Sequence, residues 1–130
     1  KGRKNKKGFF AYKSNGKKKG IDATAYDFFK GKGNQSLPIS DIQDRAIFLM
    51  LNEAVLCLEE GIIDNPTDGD LGAVFGIGFL PFTGGPFRAL DTWGIADVVA
   101  RMEDFKSTYG ERFTPAKTLV KMAREGSKFY

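Results

Sequence analysis

The sequence lacks histidine altogether and contains a single cysteine, Cys57, among its 130 residues. One cysteine excludes an intramolecular disulfide, and the absence of histidine excludes a zinc site of the Cys/His type. It also excludes any mechanism in which a histidine of this chain is the general base. No apolar run reaches the ~18 residues of a membrane-spanning helix, and no signal peptide is visible. Because the first residue is Lys1 rather than methionine, we expect a processed chain or a fragment of a longer protein.

The charge is divided unevenly along the chain. Residues 1–33 hold eleven basic and two acidic residues, a net charge of +9, whereas nine basic and fourteen acidic residues give the remainder −5. A segment so rich in lysine and glycine cannot bury enough apolar surface to offset the entropy of ordering it. We therefore expect a basic, mostly irregular lead-in with one short extended piece at residues 9–12. Its lysines indicate either a solvated linker or a contact with phosphate groups, and both interpretations stay open.

The rest of the chain has the pattern of an all-α domain. Ser40 and Gln43 fit a capping box at the start of a long helix over residues 41–60, and Gly61 is placed to end it. Apolar residues cover most of this helix and leave only a narrow polar stripe, which is typical of a helix buried on more than one side. The predicted fold is a small bundle of four or five helices over residues 40–130. The polar stripe of the long helix consists of Arg45, Asn52 and Glu59. The other predicted helices cover residues 67–75, 86–94, 95–109 and 114–124. One helical turn is predicted at residues 25–30 and a linker at residues 31–38.

No motif in the helical part specifies a reaction. The Gly/Pro/Phe-rich segment at residues 76–87 lacks the patterns of a phosphate-binding loop, so its glycines indicate tight turns and close helix approach. Neither a calcium-loop spacing nor a defined acid/base pair is present. Arg88 is expected to pair with Asp91 or Glu53 rather than to bind an anion, and Cys57 is expected to be a small buried hydrophobe. The residues alone therefore indicate a non-catalytic helical domain with a basic lead-in.

Three ordered motifs resemble one enzyme family. They are NEAVLCLEEGII at residues 52–63, DGDLGAVFGIGFLPFTGGPFRALDTWG at residues 68–94, and YGERFTP at residues 109–115, with KFY at the end of the chain. Together they are similar to the C-terminal end of the α subunit of the fatty-acid oxidation complex and of the mitochondrial trifunctional protein. The resemblance implies a parent enzyme with an enoyl-CoA hydratase part and an NAD-dependent 3-hydroxyacyl-CoA dehydrogenase part. The dehydrogenase part of that family has a Rossmann domain followed by two tandem helical domains.

The resemblance also implies a division of this chain into three parts. Residues 1–12 would be the tail of the first helical domain, residues 13–39 a basic linker, and residues 40–130 the second helical domain, of the 3-hydroxyacyl-CoA dehydrogenase C-terminal type. In the first domain of the family, the long helix begins with an Asn that lines the active site, whereas this chain has Asp44 there. The catalytic His and Glu of the family belong to the NAD domain. This copy is therefore expected to be non-catalytic.

The function implied by the resemblance is structural docking. The domain would pack against the catalytic helical domain as an internal pseudo-dimer, with no catalytic, cofactor-binding or metal-binding residue of its own and with NAD bound elsewhere in the parent. The residues expected at the domain interface or in structural roles are Asn52, Glu53, Phe79, Pro81, Phe82, Gly84, Gly85, Pro86, Phe87, Arg88 and Asp91.

Several partners are expected from the same resemblance. They are the helical and NAD-binding domains of the same polypeptide, the thiolase subunit of the parent complex, and a second copy when the fragment is isolated. Neither nucleic acid nor a metal is expected. The expected location is the cytoplasm of a bacterium, or the mitochondrial matrix of a eukaryote. The alternative function is a CoA- or polyanion-binding module that uses residues 1–33.

Overall fold

A computed structural model describes residues 3–6, 8–29 and 37–130 of the chain. The chain divides into two compact units, Lys1–Leu37 and Pro38–Tyr130. Lys30 at the end of the predicted helical turn, and residues 31–36 of the predicted linker, lie outside the described residues. Within the described ranges, no helix combines the length and the hydrophobicity needed to cross a membrane.

The N-terminal unit contains a short antiparallel hairpin. β1 (Phe10–Tyr12) pairs with β2 (Lys18–Ile21), and the chain turns between them through a left-handed Gly16. β1 lies where the alternating aromatics predicted an extended piece. β2 was not predicted, because its sequence KKGI has one apolar residue and all four positions are exposed. Short 3₁₀ helices flank the hairpin at Arg3–Asn5 and Ala23–Phe29, and the second contains most of the predicted helical turn.

The C-terminal unit contains five α-helices. They are α1 (Ile39–Glu59), α2 (Pro66–Ile77), α3 (Pro86–Trp93), α4 (Ile95–Tyr109) and α5 (Lys117–Glu125). A 3₁₀ turn at Pro81–Thr83 precedes α3, and another at Glu111–Phe113 precedes α5. The structure therefore confirms the predicted all-α fold.

The core lies where α1, α3, α4 and α5 meet. Phe48, Leu51 and Val55 project into it from one side of α1. Each large apolar side chain that is fully buried stabilises the fold by about 1.5–3 kcal/mol relative to an exposed one. The other buried apolar residues are Phe79, Phe87, Ala89, Leu90, Ile95, Val98, Met102, Phe105, Phe113, Ala116 and Leu119.

The N-termini of three helices differ from the predictions. α1 begins directly after Pro38, whose extended backbone leads into the helix, so Ser40 lies inside the first turn and no side chain caps the helix. α2 begins at Pro66, one residue earlier than predicted, and the side chain of Asn65 caps it by accepting a hydrogen bond from a backbone N–H of the first turn. α5 begins at Lys117, later than predicted, and also has no local side-chain cap. The first N–H groups of a helix without a local cap need partners from elsewhere in the chain or from water.

Candidate docking surface

Two polar side chains of α1 bind the segment that leads into α5. Asn52, which is buried, donates a hydrogen bond to the Thr114 carbonyl at 3.2 Å and accepts one from the Ala116 N–H at 2.7 Å. Glu59, two turns later, accepts a hydrogen bond from the Thr118 N–H at 2.6 Å. These side chains supply the partners that α5 lacks locally. The second half of the predicted polar stripe of α1 thus faces the start of α5, with Asn52 buried and Glu59 exposed.

Cations hold the first half of α1 against α4. Arg45 places its guanidinium group 4.0 Å from the centre of the Tyr109 ring. Arg101 of α4 pairs with Asp41 at 2.5 Å and with Asp44 at 3.5 Å. Because these groups are partly exposed, solvent screens their interactions. The carboxylate of Asp44 is therefore engaged inside this unit.

An apolar stripe of α1 is left exposed because the polar stripe faces inward. Ile42 is 54% exposed and Met50 is 40% exposed, and Ala46 lies exposed between them. Glu53 and Cys57 continue the same side of the helix, since positions three or four apart share a face. We call Ile42, Ala46, Met50, Glu53 and Cys57 the α1 face. Exposed apolar residues at helical spacing on a long helix are typical of a surface that packs against a partner.

Two open grooves flank the α1 face. The first, of about 700 Å³, lies between α1 and the α3–α4 pair, where Trp93 and Val98 line it. The second groove, of about 510 Å³, lies between α1 and α2, where the small residues Gly72 and Ala73 form part of the wall. Met50 lines both grooves. The grooves and the α1 face therefore form one surface, which we call the docking surface.

Additional large apolar residues are exposed on α2 and on the turn that follows it. Phe75 and Phe82 are each 84% exposed, Ile77 is 71% exposed and Leu71 is 52% exposed. Single exposed apolar residues are common, but this many within a short stretch indicate an interaction site. They lie on or next to the helix that forms one wall of the second groove.

A buried carboxylate joins α2 to α3. Asp70 accepts hydrogen bonds from the Phe87 N–H at 2.7 Å and from the Tyr130 hydroxyl at 2.7 Å. Gly85 makes this approach feasible, because a Cβ there would lie 2.4 Å from Asp70 Oδ1, and its φ of +117° is a left-handed value. Burial raises the pKa of the Tyr130 hydroxyl, and the hydrogen bond to Asp70 raises it further, because only the protonated hydroxyl can donate.

A second carboxylate holds Phe129 and Tyr130. Asp91 of α3 accepts hydrogen bonds from the N–H groups of both residues, at 3.0 Å and 2.9 Å. The Phe129 ring packs edge-on against Phe87 with centroids 4.9 Å apart, and the guanidinium group of Arg88 lies 4.2 Å from the centre of the Tyr130 ring. Phe129 and Tyr130 are therefore attached to α3 through their backbone and side chains, and Tyr130 is attached to α2 through Asp70.

Most of the helical unit matches a known domain family. Residues 42–128 match the family described as 3-hydroxyacyl-CoA dehydrogenase, C-terminal domain. The chain belongs to this family. The whole chain is 50% identical over 130 residues to the fatty acid oxidation complex subunit alpha of Vibrio vulnificus, of which it covers 18%. It is 51% identical over 131 residues to the protein of the same name from Shewanella amazonensis, of which it covers 19%. The chain thus spans less than a fifth of the length of these relatives, and the predicted family resemblance is confirmed.

The predicted site residues occupy different places in this 3-hydroxyacyl-CoA dehydrogenase C-terminal domain. Phe79 and Pro86 line the second groove together with Glu53 of the α1 face. Asn52 and Asp91 bind backbone groups inside the unit. The remaining ones belong to the loop before α3 or to α3 itself: Pro81, Phe82, Gly84 and Arg88 are exposed, and Gly85 and Phe87 are buried.

Two detailed expectations about side chains are not met. Arg88 pairs with neither Asp91 nor Glu53 within the part of the chain that the structure describes; it stacks on Tyr130 instead. The reason is that the Asp91 carboxylate already binds two backbone N–H groups. Cys57 is only half-buried, because it lines the second groove rather than the core.

Sequence reasoning missed several residues of the surface. The apolar character of α1 was recognised, but Ile42, Ala46 and Met50 were not distinguished from the core positions. The inward-facing polar stripe is the signal that would have identified them. No local pattern marks Asp70, because its partner Phe87 lies 17 positions away. Among the described residues, no three potential ligand side chains are placed to hold a metal ion.

Proposed function

We propose that this domain is a structural module of a multifunctional fatty-acid β-oxidation enzyme and docks against another helical domain of the same polypeptide. The parent would combine enoyl-CoA hydratase and NAD-dependent 3-hydroxyacyl-CoA dehydrogenase activities. The family membership supports the dehydrogenase part and the name of the relatives supports fatty-acid oxidation, whereas the hydratase part is what the sequence resemblance implies. The observation that carries the docking role is the exposed stripe of Ile42, Ala46 and Met50 between two grooves. The occupant would be the catalytic helical domain, and the pair would form an internal pseudo-dimer.

The N-terminal unit would belong to the connection between the two helical domains. Residues 1–12 would be the tail of the preceding helical domain, and residues 13–39 would lead to the second domain, at residues 40–130. Phe9 is 71% exposed and Ile21 is 67% exposed in this small unit. A preceding domain that covers them would remove a large apolar surface from water.

The isolated chain is expected to be inactive. It contains no histidine, and Asp44, at the place of the active-site Asn in the resembling helical domain, is paired with Arg101 at 3.5 Å. NAD would be bound by another domain of the parent. The pure chain should therefore show no turnover of acetoacetyl-CoA with NADH, and a measurable rate would overturn this part of the proposal.

The docking role can be tested by placing the same charge at two exposed apolar positions. Met50→Glu lies on the α1 face, whereas Ile62→Glu, at a residue 66% exposed in the turn after α1, lies outside it. In the isolated chain, at concentrations low enough to keep it monomeric, both variants should change stability little, because both positions are exposed. In the full-length polypeptide, Met50→Glu would place a carboxylate in an apolar interface and cost about 2 kcal/mol or more. Thermal unfolding of the full-length polypeptide should separate the two variants, and equal midpoints would contradict docking through the α1 face.

The other proposed partners are those expected for the parent enzyme. They are its helical and NAD-binding domains and a thiolase subunit. The relatives are named as one subunit of a complex, which supports a second subunit. The isolated chain should self-associate through the uncovered α1 face, so light scattering that shows a strict monomer at high concentration would contradict that partner. The proposed location is the cytoplasm, because these relatives are bacterial; a eukaryotic parent would be in the mitochondrial matrix.

The alternative function, binding of CoA or another polyanion, is favoured by one observation. Lys17, Lys18 and Lys19 are exposed together at the end of the hairpin, where they can approach phosphate groups. Calorimetry should compare CoA binding to the whole chain and to a chain without residues 1–33. Heat that disappears with the segment would support the alternative, and no heat in either case would reject it.

A further inference from the structure

α2 depends on tertiary contacts for its position. Gly69, Gly72 and Gly76 lie within it, and glycine is a poor helix former because it loses much backbone entropy. Its only fully buried residues are Gly69 and Asp70. Gly69 packs directly against the Phe87 ring, where even a Cβ would lie 2.5 Å away. Asp70 is therefore the buried side chain through which α2 is fixed to α3.

The partners of Asp70 come from two different places in the chain. One is the Phe87 N–H in the first turn of α3, and the other is the Tyr130 hydroxyl. Tyr130 is in turn held by the Asp91 carboxylate through its own N–H. The bond to Asp91 and the stacking on Arg88 thus hold Tyr130 on α3, with its hydroxyl beside Asp70.

We propose that Phe129 and Tyr130 form a strap that holds α2 against α3 and thereby keeps the second groove of the docking surface in the shape that its partner requires. The inference rests on the proposed function. The groove is built from both elements that the strap connects, since Gly69 and Gly72 of α2 and Pro86 of α3 line it. Tyr130 and Asp91 would be positioning residues, because they act on docking through α2 and do not line the groove.

Two conservative variants and two matched controls test the strap. Tyr130→Phe removes the hydroxyl that binds Asp70 and keeps the ring, and Asp91→Asn replaces one of the two accepting oxygens. The controls are Tyr26→Phe in the N-terminal unit and Asp104→Asn on α4, both at exposed positions. Amide hydrogen exchange of the isolated 130-residue chain should be about tenfold faster across Pro66–Ile77 in both strap variants, because a hydrogen bond to a charged group is lost. The controls should exchange like the wild type.

A second measurement separates a role in docking from a purely structural one. Cys57 lines the second groove, so its alkylation rate in the full-length polypeptide reports whether the groove is covered. The strap variants should raise this rate about tenfold, and the controls should leave it unchanged. Unchanged exchange in α2 would overturn the strap, and faster exchange with an unchanged Cys57 rate would overturn its link to docking. If Cys57 already reacts in the wild-type full-length polypeptide as fast as in the isolated chain kept monomeric by dilution, the proposed docking fails, and the exchange data still decide whether the strap exists.

Discussion

Replacing Asn52 by alanine is expected to destabilise the helical unit by about 1.5–4.5 kcal/mol. Asn52 is 6% exposed, and its side chain accepts the Ala116 N–H at 2.7 Å and donates to the Thr114 carbonyl at 3.2 Å. Ala116 is itself 3% exposed, so its N–H would stay buried without a partner at a cost of about 1–3 kcal/mol. Loss of the bond to the exposed Thr114 adds about 0.5–1.5 kcal/mol.

Urea unfolding of the 130-residue chain, followed by circular dichroism, measures this difference directly. The matched control is Gln43→Ala, which removes an exposed amide from the same helix and should change the free energy of unfolding by less than about 0.5 kcal/mol. If Asn52→Ala falls within the same small range, the inward-facing role of the polar stripe is wrong. A large loss of stability in Asn52→Ala would also indicate that Asn52 stabilises the start of α5, which has no local cap.

Two further predictions concern the junction of α2 and α3. Tyrosine in the unfolded chain ionises near pH 10, and the pKa of Tyr130 in the folded chain is higher. The stability that the Tyr130 hydroxyl contributes is therefore intact below about pH 10 and is lost as the pH rises through the folded pKa. Tyr130→Phe should therefore weaken the alkaline loss of stability in unfolding measurements, and an unchanged slope would contradict this. Gly85→Ala should cost about 2 kcal/mol or more, because its Cβ would meet Asp70 at 2.4 Å in a left-handed backbone. Gly76→Ala, with open space around its Cβ, should stabilise α2 by up to about 1 kcal/mol. Equal melting temperatures of the Gly85→Ala and Gly76→Ala variants would refute the expected difference between the two positions.

The helices could be predicted because their signals are local. Hydrophobic spacing located α1 and α4, and Gly61 ends α1 in the left-handed conformation as expected. The start of α1 was misplaced because Ser40 has the right chemistry for a cap, whereas the extended backbone of Pro38 starts the helix earlier. β2 was missed because the exposed sequence KKGI has no alternation that would mark a strand. Local rules therefore gave the elements and only approximate boundaries.

The docking surface and the strap could not be predicted in the same way. Which side of α1 is exposed depends on where Asn52 and Glu59 find their partners, and those lie at the start of α5, 64 and 59 positions away. The burial of Asp70 depends on the close approach of Gly85 and on Tyr130, 60 positions away. Contacts at such separations leave no periodic pattern in the sequence. The family resemblance indicated an interface, but only the packing identifies its side chains.

Cys57 provides the most direct test of the docking surface. It is the single cysteine of this chain and lines the second groove. Its alkylation rate should be measured in the isolated 130-residue chain, at a concentration low enough to keep that chain monomeric, and in the full-length polypeptide, with peptide mass spectrometry to distinguish it from other thiols of the parent. Docking predicts a rate at least about tenfold lower in the full-length polypeptide, because the thiol would react only after local opening. Equal rates would show that the groove is open in the parent and would contradict the docking role.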